Sequence, residues 1–294
     1  MNQSSCVKAG RFFVLEGLFF SGIQNQFAFF SVFLSKENTR MKILISPAKS
    51  INENCQIPSF DYTQPIFAKE AKALVGKLKK MKAKDLMELM HVSKDIAELN
   101  VNRNKAWHLS DEPTEHVKPA AFLFTGEVYK GLEMESLSVA ELEKAQRNLR
   151  ILSGMYGLLK PMDLIHPYRL EMGTRWEIKD GITNLYQFWG DKLTKSLLKE
   201  TEKNEPIINL ASGEYNKAIQ WKKVKNPVVT PVFKEFKNGE YKVIMIFAKH
   251  ARGAMARYLI QNELTEVEDL KNYQVDGYSF DEKQSSDTEW VFVR

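Results

Sequence analysis

The run LSGMYGLLKPMDLI, residues 152–165, is the densest concentration of residues suited to holding an anion. A helix pattern ends there in a turn bracketed by Gly154 and Gly157, and an apolar pattern resumes at residues 158, 159, 162, 164 and 165. In a helix–hairpin–helix, such glycines bare backbone N–H groups at the start of a second helix. Those amides and the helix dipole hold a phosphate without reading bases. Gly154 and Gly157 would bracket this hairpin, and Lys160 would add a charge-assisted contact one turn later. The glycine spacing is one residue longer than the usual Gly-x-Gly, and Pro161 must fall in the second helix's first turn. A plain helix C-cap followed by a tight turn fits the same residues.

A second set of polar residues stands at predicted strand ends or turns, where cleft residues gather. It comprises Glu127, Tyr129, Arg169, Glu171, Asn209, Ser212, Glu214, Tyr215 and Lys249. No Gly-x-Ser-x-Gly, Walker loop or paired ligand motif organises them, so no reaction class follows. Pairs such as Arg169 and Glu171 serve equally well as structural ties. His91, His108, His116, His166 and His250 are scattered, without metal-ligand spacing, so neither a metal nor a cofactor is expected. Tyr156, Tyr168, Trp176, Phe188, Trp189 and Trp221 lie near basic segments and suit stacking on unpaired bases. Phe188 and Trp189 are read as core.

These residues need a scaffold, and the chain alternates strand and helix patterns. Strands are expected at 42–46, 121–125, 206–210, 228–233, 240–248, 274–280 and 289–293, the fourth and fifth joined as a hairpin around Asn238-Gly239. Helices are expected at 66–80, 84–90, 94–106, 139–150, 186–200 and 249–262. Ser93 is the expected N-cap of the third, and Ser138 with Glu141 forms a capping box on the fourth. The fold class is mixed α/β (α+β): a single domain with a mixed β-sheet surrounded by helices.

Net charge is +5 and the charge is sorted along the chain. Between Lys217 and Arg257 stand 10 Lys and Arg against Glu235 and Glu240, and between Glu263 and Glu289 stand 9 acids against Lys271 and Lys283. Lys69 to Lys84 holds 7 Lys against Glu70. Each run reads as a solvated face, and two basic runs in one domain can also line one positive surface. Cys55 is the only cysteine from Met41 onward, which fits a reducing cytoplasm rather than a disulfide framework. Residues 1–40 hold 8 of the 18 Phe, with Glu16 and Gln24-Asn25-Gln26 breaking the apolar runs. They match neither a signal peptide nor a membrane anchor. They are read as a leader, disordered or absent from the natural protein, before a domain at 41–294 that begins on a strand.

In order, ILISPAKS, GEVYKGL, LSGMYGLLKPMDLIHPYRLEMG, YQFWGD, INLASGEY and AKHARGAMARYLI closely resemble the YaaA family of bacterial peroxide stress proteins. The likeness runs from Met41 to the C-terminus. It implies a cytosolic mixed α/β protein with a helix–hairpin–helix and a positively charged cleft. It further implies binding of DNA by shape rather than sequence, duplex, branched or single-stranded, and a part in limiting iron-dependent peroxide damage. Carried onto this chain, the resemblance places the hairpin at Ser153, Gly154, Tyr156 and Gly157, and the cleft would draw on Lys49, Arg169, Lys249, Arg252 and Arg257. His250 and Thr125 stand where family members often have Lys, which lowers the expected cleft charge. A monomer without cofactor is expected, and an enzyme acting on a phosphate-bearing substrate in the same cleft is the competing reading.

Overall fold

In the computed structural model, which describes residues 40–294, the run KILI forms strand β1 (Lys42–Ile45) and is buried at every position. A strand covered on both faces needs just such an unbroken run. The leader expected over 1–40 lies, but for Arg40, outside the described residues.

β1 pairs in parallel with β2 (Leu149–Ser153), which turns back into antiparallel β3 (Gly157–Leu159). On its other side β1 pairs in parallel with β4 (Ile207–Asn209), and β4 with β5 (Val228–Lys237). The short β6 (Glu240–Lys242) folds back on β5, while β7 (Ser279–Asp281) and β8 (Glu289–Val293) complete a sheet of order β7-β8-β5-β4-β1-β2-β3. The sheet is mixed, as expected, and mostly parallel.

The helices are α1 (Ala68–Leu78), α2 (Ala83–Met90), α3 (Lys94–Ala106), α4 (Glu127–Leu132), α5 (Val139–Asn148), α6 (Leu185–Trp189), α7 (Lys192–Lys199) and α8 (Met245–Gln261), with shorter helical turns between. Ser93 caps α3 by accepting from the Ile96 N–H, and the Ser138–Glu141 capping box forms on α5. Asn238 and Gly239 take positive φ, as a tight hairpin turn requires. Among the described residues no helix is long and apolar enough to cross a membrane.

Four expectations change. Residues 120–123 form a helical turn, leaving only Phe124–Thr125 as strand, paired with Ser50–Ile51. The helix expected at 186–200 breaks at Gly190, whose φ is +55°. The strand expected at 240–248 stops at Lys242, because the small residues Ala248, Ala251, Gly253 and Ala254 must be helical to bury one side of α8. Of the strand expected at 274–280, residues 275–277 form a helical turn and only Ser279–Asp281 pairs with β8.

The helix–hairpin–helix read at 153–160 is a β-hairpin. α5 runs directly into β2, Gly154-Met155-Tyr156 makes the turn, and β3 returns. Ser153, Gly154, Tyr156 and Gly157 are all buried, so their amides face no ligand. The Tyr156 N–H donates to Ser153 Oγ at 2.9 Å, and the Trp189 indole donates to the Gly154 carbonyl at 3.1 Å. Pairing with β1 settles the matter, since Leu149 and Ile151 belong to the central sheet. A Cβ on Gly157 would lie 2.8 Å from both Trp189 and Leu193, at φ +73°. Gly157→Val is therefore expected to destabilise the protein by about 2 kcal/mol or more through overpacking and backbone strain. A denaturation midpoint equal to the parent's would refute this.

Candidate functional site

The sheet has one place where its connections reverse direction. From β1 the chain crosses to β2 on one side, and from β4 it crosses to β5 on the other. In open sheets of parallel strands, ligands bind in the crevice beyond the carboxyl ends of the two strands that flank such a switch point. Here those ends lead into Ser46-Pro47-Ala48-Lys49 after β1 and Leu210 to Tyr215 after β4. A cleft of about 380 Å³ opens between them, walled by the start of α4, the segment Tyr168–Glu171, and Lys249 and Arg252 of α8.

The base of the cleft is tied by hydroxyls. The Ser212 N–H donates to Ser46 Oγ at 2.8 Å, and the Tyr129 hydroxyl donates to the Ser46 carbonyl at 3.1 Å. Tyr168 and Ser153 share a 2.6 Å hydroxyl contact. Burial pushes Tyr129, Tyr168 and Tyr215 above the ordinary phenol range, so all three stay neutral donors.

The charges are unevenly matched. Glu171 takes both Lys49, at 2.8 Å, and Arg169, at 3.3 Å. Arg169 Nε is buried and has no hydrogen-bond partner. Glu127 is held by Lys130 at 2.8 Å, which keeps its carboxyl below the usual range. Glu214 accepts from the Gly173 N–H at 2.8 Å. Among the described residues neither Lys249 nor Arg252 forms an ion pair, but the exposed Lys249 lies near enough to Glu127 to help hold its carboxyl down, whereas burial alone pulls Arg252 below its ordinary value. Buried charge without a counter-charge is costly, and an anionic ligand supplies the missing partner.

Lys49, Arg169, Lys249 and Arg252 thus meet in one cleft, while two other predicted cations lie elsewhere. Arg257 donates to the carbonyls of Leu132 and Glu133, at 3.2 and 3.0 Å, and closes the C-terminus of α4. Lys160 lies in a separate depression beside Arg150 and Glu200. The two basic runs come near each other at the start of α7, where Lys192 pairs with Glu70 and Lys223 with Asp191, and not at the cleft. Lys79, Lys80 and Lys82 line a groove beside α3, and the groove next to the cleft is acidic, with Asp85, Glu88, Glu171, Glu177 and Glu214.

Asn209 serves the fold, donating to Asn216 and Thr230 from the end of β4. Trp189 is wholly buried, as read for the core. Ser46 went unread, although it is the first polar residue after the central strand, which is the signal that marks a strand-end site. The histidines prove less scattered than their spacing indicates. The rings of His108 and His116 lie 5.0 and 6.2 Å from that of the buried His166. Among the described residues no group of three or more His, Cys, Asp or Glu is arranged to hold a metal ion.

The sequence model described as peroxide stress protein YaaA matches residues 41–284. A UPF0246 protein of Aliivibrio fischeri (strain MJ11) is 48% identical over 256 residues, 86% of this chain and 98% of the relative. UPF0246 proteins of Neisseria gonorrhoeae (strain NCCP11945) and Flavobacterium johnsoniae are 44% and 46% identical, over 86% of this chain and 98% and 100% of their own lengths. With every wall of the switch-point cleft, and the sheet as far as β7, inside residues 41–284, the chain belongs to the YaaA family of peroxide stress proteins.

Proposed function

We propose that this protein serves in the peroxide stress response by binding DNA, with phosphate drawn into the switch-point cleft, and so limits iron-dependent damage. The observation that carries the reading is Arg252, which stands part-buried at a strand-end crevice without an acid partner, with the exposed Lys249 one turn before it on α8. Contacts of this kind are blind to base sequence. The protein acts as a cytoplasmic monomer without cofactor.

The test is the salt dependence of affinity for a duplex. Each phosphate neutralised contributes about −0.9 to the slope of log K against log salt. Lys249→Ala with Arg252→Ala is expected to flatten the slope by about 1 to 2 units and to weaken all sequences alike. A parent-like slope in a folded double variant would refute the reading. Glu171→Gln removes the shared partner of Lys49 and Arg169 and is expected to bind DNA more tightly than the parent. Turnover of DNA or a nucleotide by the parent, lost in Glu171→Gln, would replace binding by catalysis.

A further inference from the structure

We infer that the cleft is selective for a terminal phosphomonoester, presented at a DNA end or on a mononucleotide, over the internal phosphodiesters of a continuous duplex. This rests on the DNA reading above for its macromolecular ligand, but the terminal-phosphate chemistry stands on the cleft alone. The first ground is depth. Arg169 Nε is inaccessible to solvent, Arg252 is partly covered, and Tyr168 at the base is only 5% exposed. The phosphates of a duplex sit on a convex rod and cannot reach below a rim, whereas a chain end can.

The second ground is size. A volume of about 380 Å³ lies at the lower end of pockets that enclose small ligands, room for about one nucleotide and not for a length of duplex.

The third is charge. A phosphomonoester near neutral pH carries about −1.5 to −2, against −1 for a diester. It therefore matches the unpaired Arg252 and its neighbour Lys249 better than an internal phosphate does. The fourth is the surround. A strand continuing past the cleft into the adjoining groove would meet Glu214, Asp85, Glu88 and Glu177 against the one arginine there, Arg175, a surround of net negative charge. A strand that ends in the cleft avoids them.

The experiment measures binding of the full chain to one duplex in three forms: phosphorylated ends, hydroxyl ends, and ends closed by hairpin loops into a dumbbell. Adenosine 5′-monophosphate and adenosine are titrated alongside. The phosphorylated duplex is expected to bind about tenfold or more tighter than the dumbbell, the effect of one added charge-assisted contact. The monophosphate is expected to bind, adenosine not at all. Arg252→Gln is expected to abolish the difference between duplex forms. The exposed Lys249→Gln, which disturbs no packing, is expected to reduce it. Equal affinity for phosphorylated duplex and dumbbell would overturn the inference and leave DNA binding standing. Binding of the monophosphate without any DNA binding would overturn the DNA reading and uphold the cleft's ligand class. Failure of every probe would overturn both.

Discussion

Gly253→Ala is expected to lower stability by about 2 kcal/mol or more, although alanine is the better helix former by about 1 kcal/mol. The reason is the crossing of α4 and α8. A Cβ at residue 253 would lie 1.8 Å from the Val128 carbonyl oxygen and 2.9 Å from the Leu132 nitrogen. Across the same contact, a Cβ on Gly131 would lie 2.2 Å from the His250 carbonyl oxygen. These obstacles are backbone atoms, which cannot swing aside as a side chain does, so one helix must move. In a domain of this size each kcal/mol shifts the thermal midpoint by about 2–4 °C, which sets an expected fall of about 4–8 °C or more. Thermal unfolding followed by circular dichroism measures it, and an unchanged or raised midpoint would show that the helices yield freely. Displacement of α8 also carries Lys249 and Arg252 with it, so a folded Gly253→Ala protein is expected to bind anions more weakly than the parent.

The second large effect is a dependence of stability on pH that two buried groups set in opposite senses. His166 is 2% exposed, and neither ring nitrogen has a hydrogen-bond partner. Burial, then the neighbouring His108 and His116, brings its pKa from 6.5 to about 4. The unfolded chain therefore binds the proton first as pH falls, and the native state loses stability between about pH 6.5 and 4. Asp163 behaves oppositely. Burial raises its pKa from 3.8 to about 6, against the opposing hydrogen bonds of Thr63 and the Lys160 N–H, at 2.6 and 2.8 Å. Its contribution is complete below about pH 3.8 and is lost as pH rises through 6.

Replacing either group should expose the other. Relative to the parent, His166→Phe is expected to gain about 2 kcal/mol at pH 5 compared with pH 7, and Asp163→Asn to lose about 1 kcal/mol over the same interval. Urea unfolding at the two pH values gives both differences. Identical pH profiles for parent and His166→Phe would mean that solvent reaches the imidazole in the native state.

The parts of this fold legible in the sequence are those whose local signal is unopposed. The strand at 42–45 is an unbroken apolar run, the helix at 94–106 begins on a capping serine, and Asn238-Gly239 fits little besides a tight turn. Residues 152–165 are different. Apolar runs on either side of a glycine-bracketed turn satisfy both a helical and an extended pattern, and the choice falls to pairing with β1, about a hundred residues away in the chain. Likewise the β-prone run 243–247 starts a helix, with Met245, Ile246 and Phe247 left exposed, because α8 must bring its small residues against α4. The cleft was half legible. Lys49, Arg169, Lys249 and Arg252 sit in recognisable motifs, but the engagement of Arg257 with the α4 carbonyls depends on a helix contact that no local spacing encodes.

The position of β1 at the centre of the sheet has a consequence for how the chain is made. Its first residues to fold into the core leave the ribosome long before either partner: Ile43 waits for Leu149, and Lys42 for Ile207. At synthesis rates of about 5–20 residues per second, the full set of neighbours arrives roughly ten seconds or more after the strand itself. Through that interval a short hydrophobic strand stands with both edges unpaired, open to pairing with other nascent chains. The exposure of this strand during translation is thus set by topology and is untouched by the stability of the finished molecule.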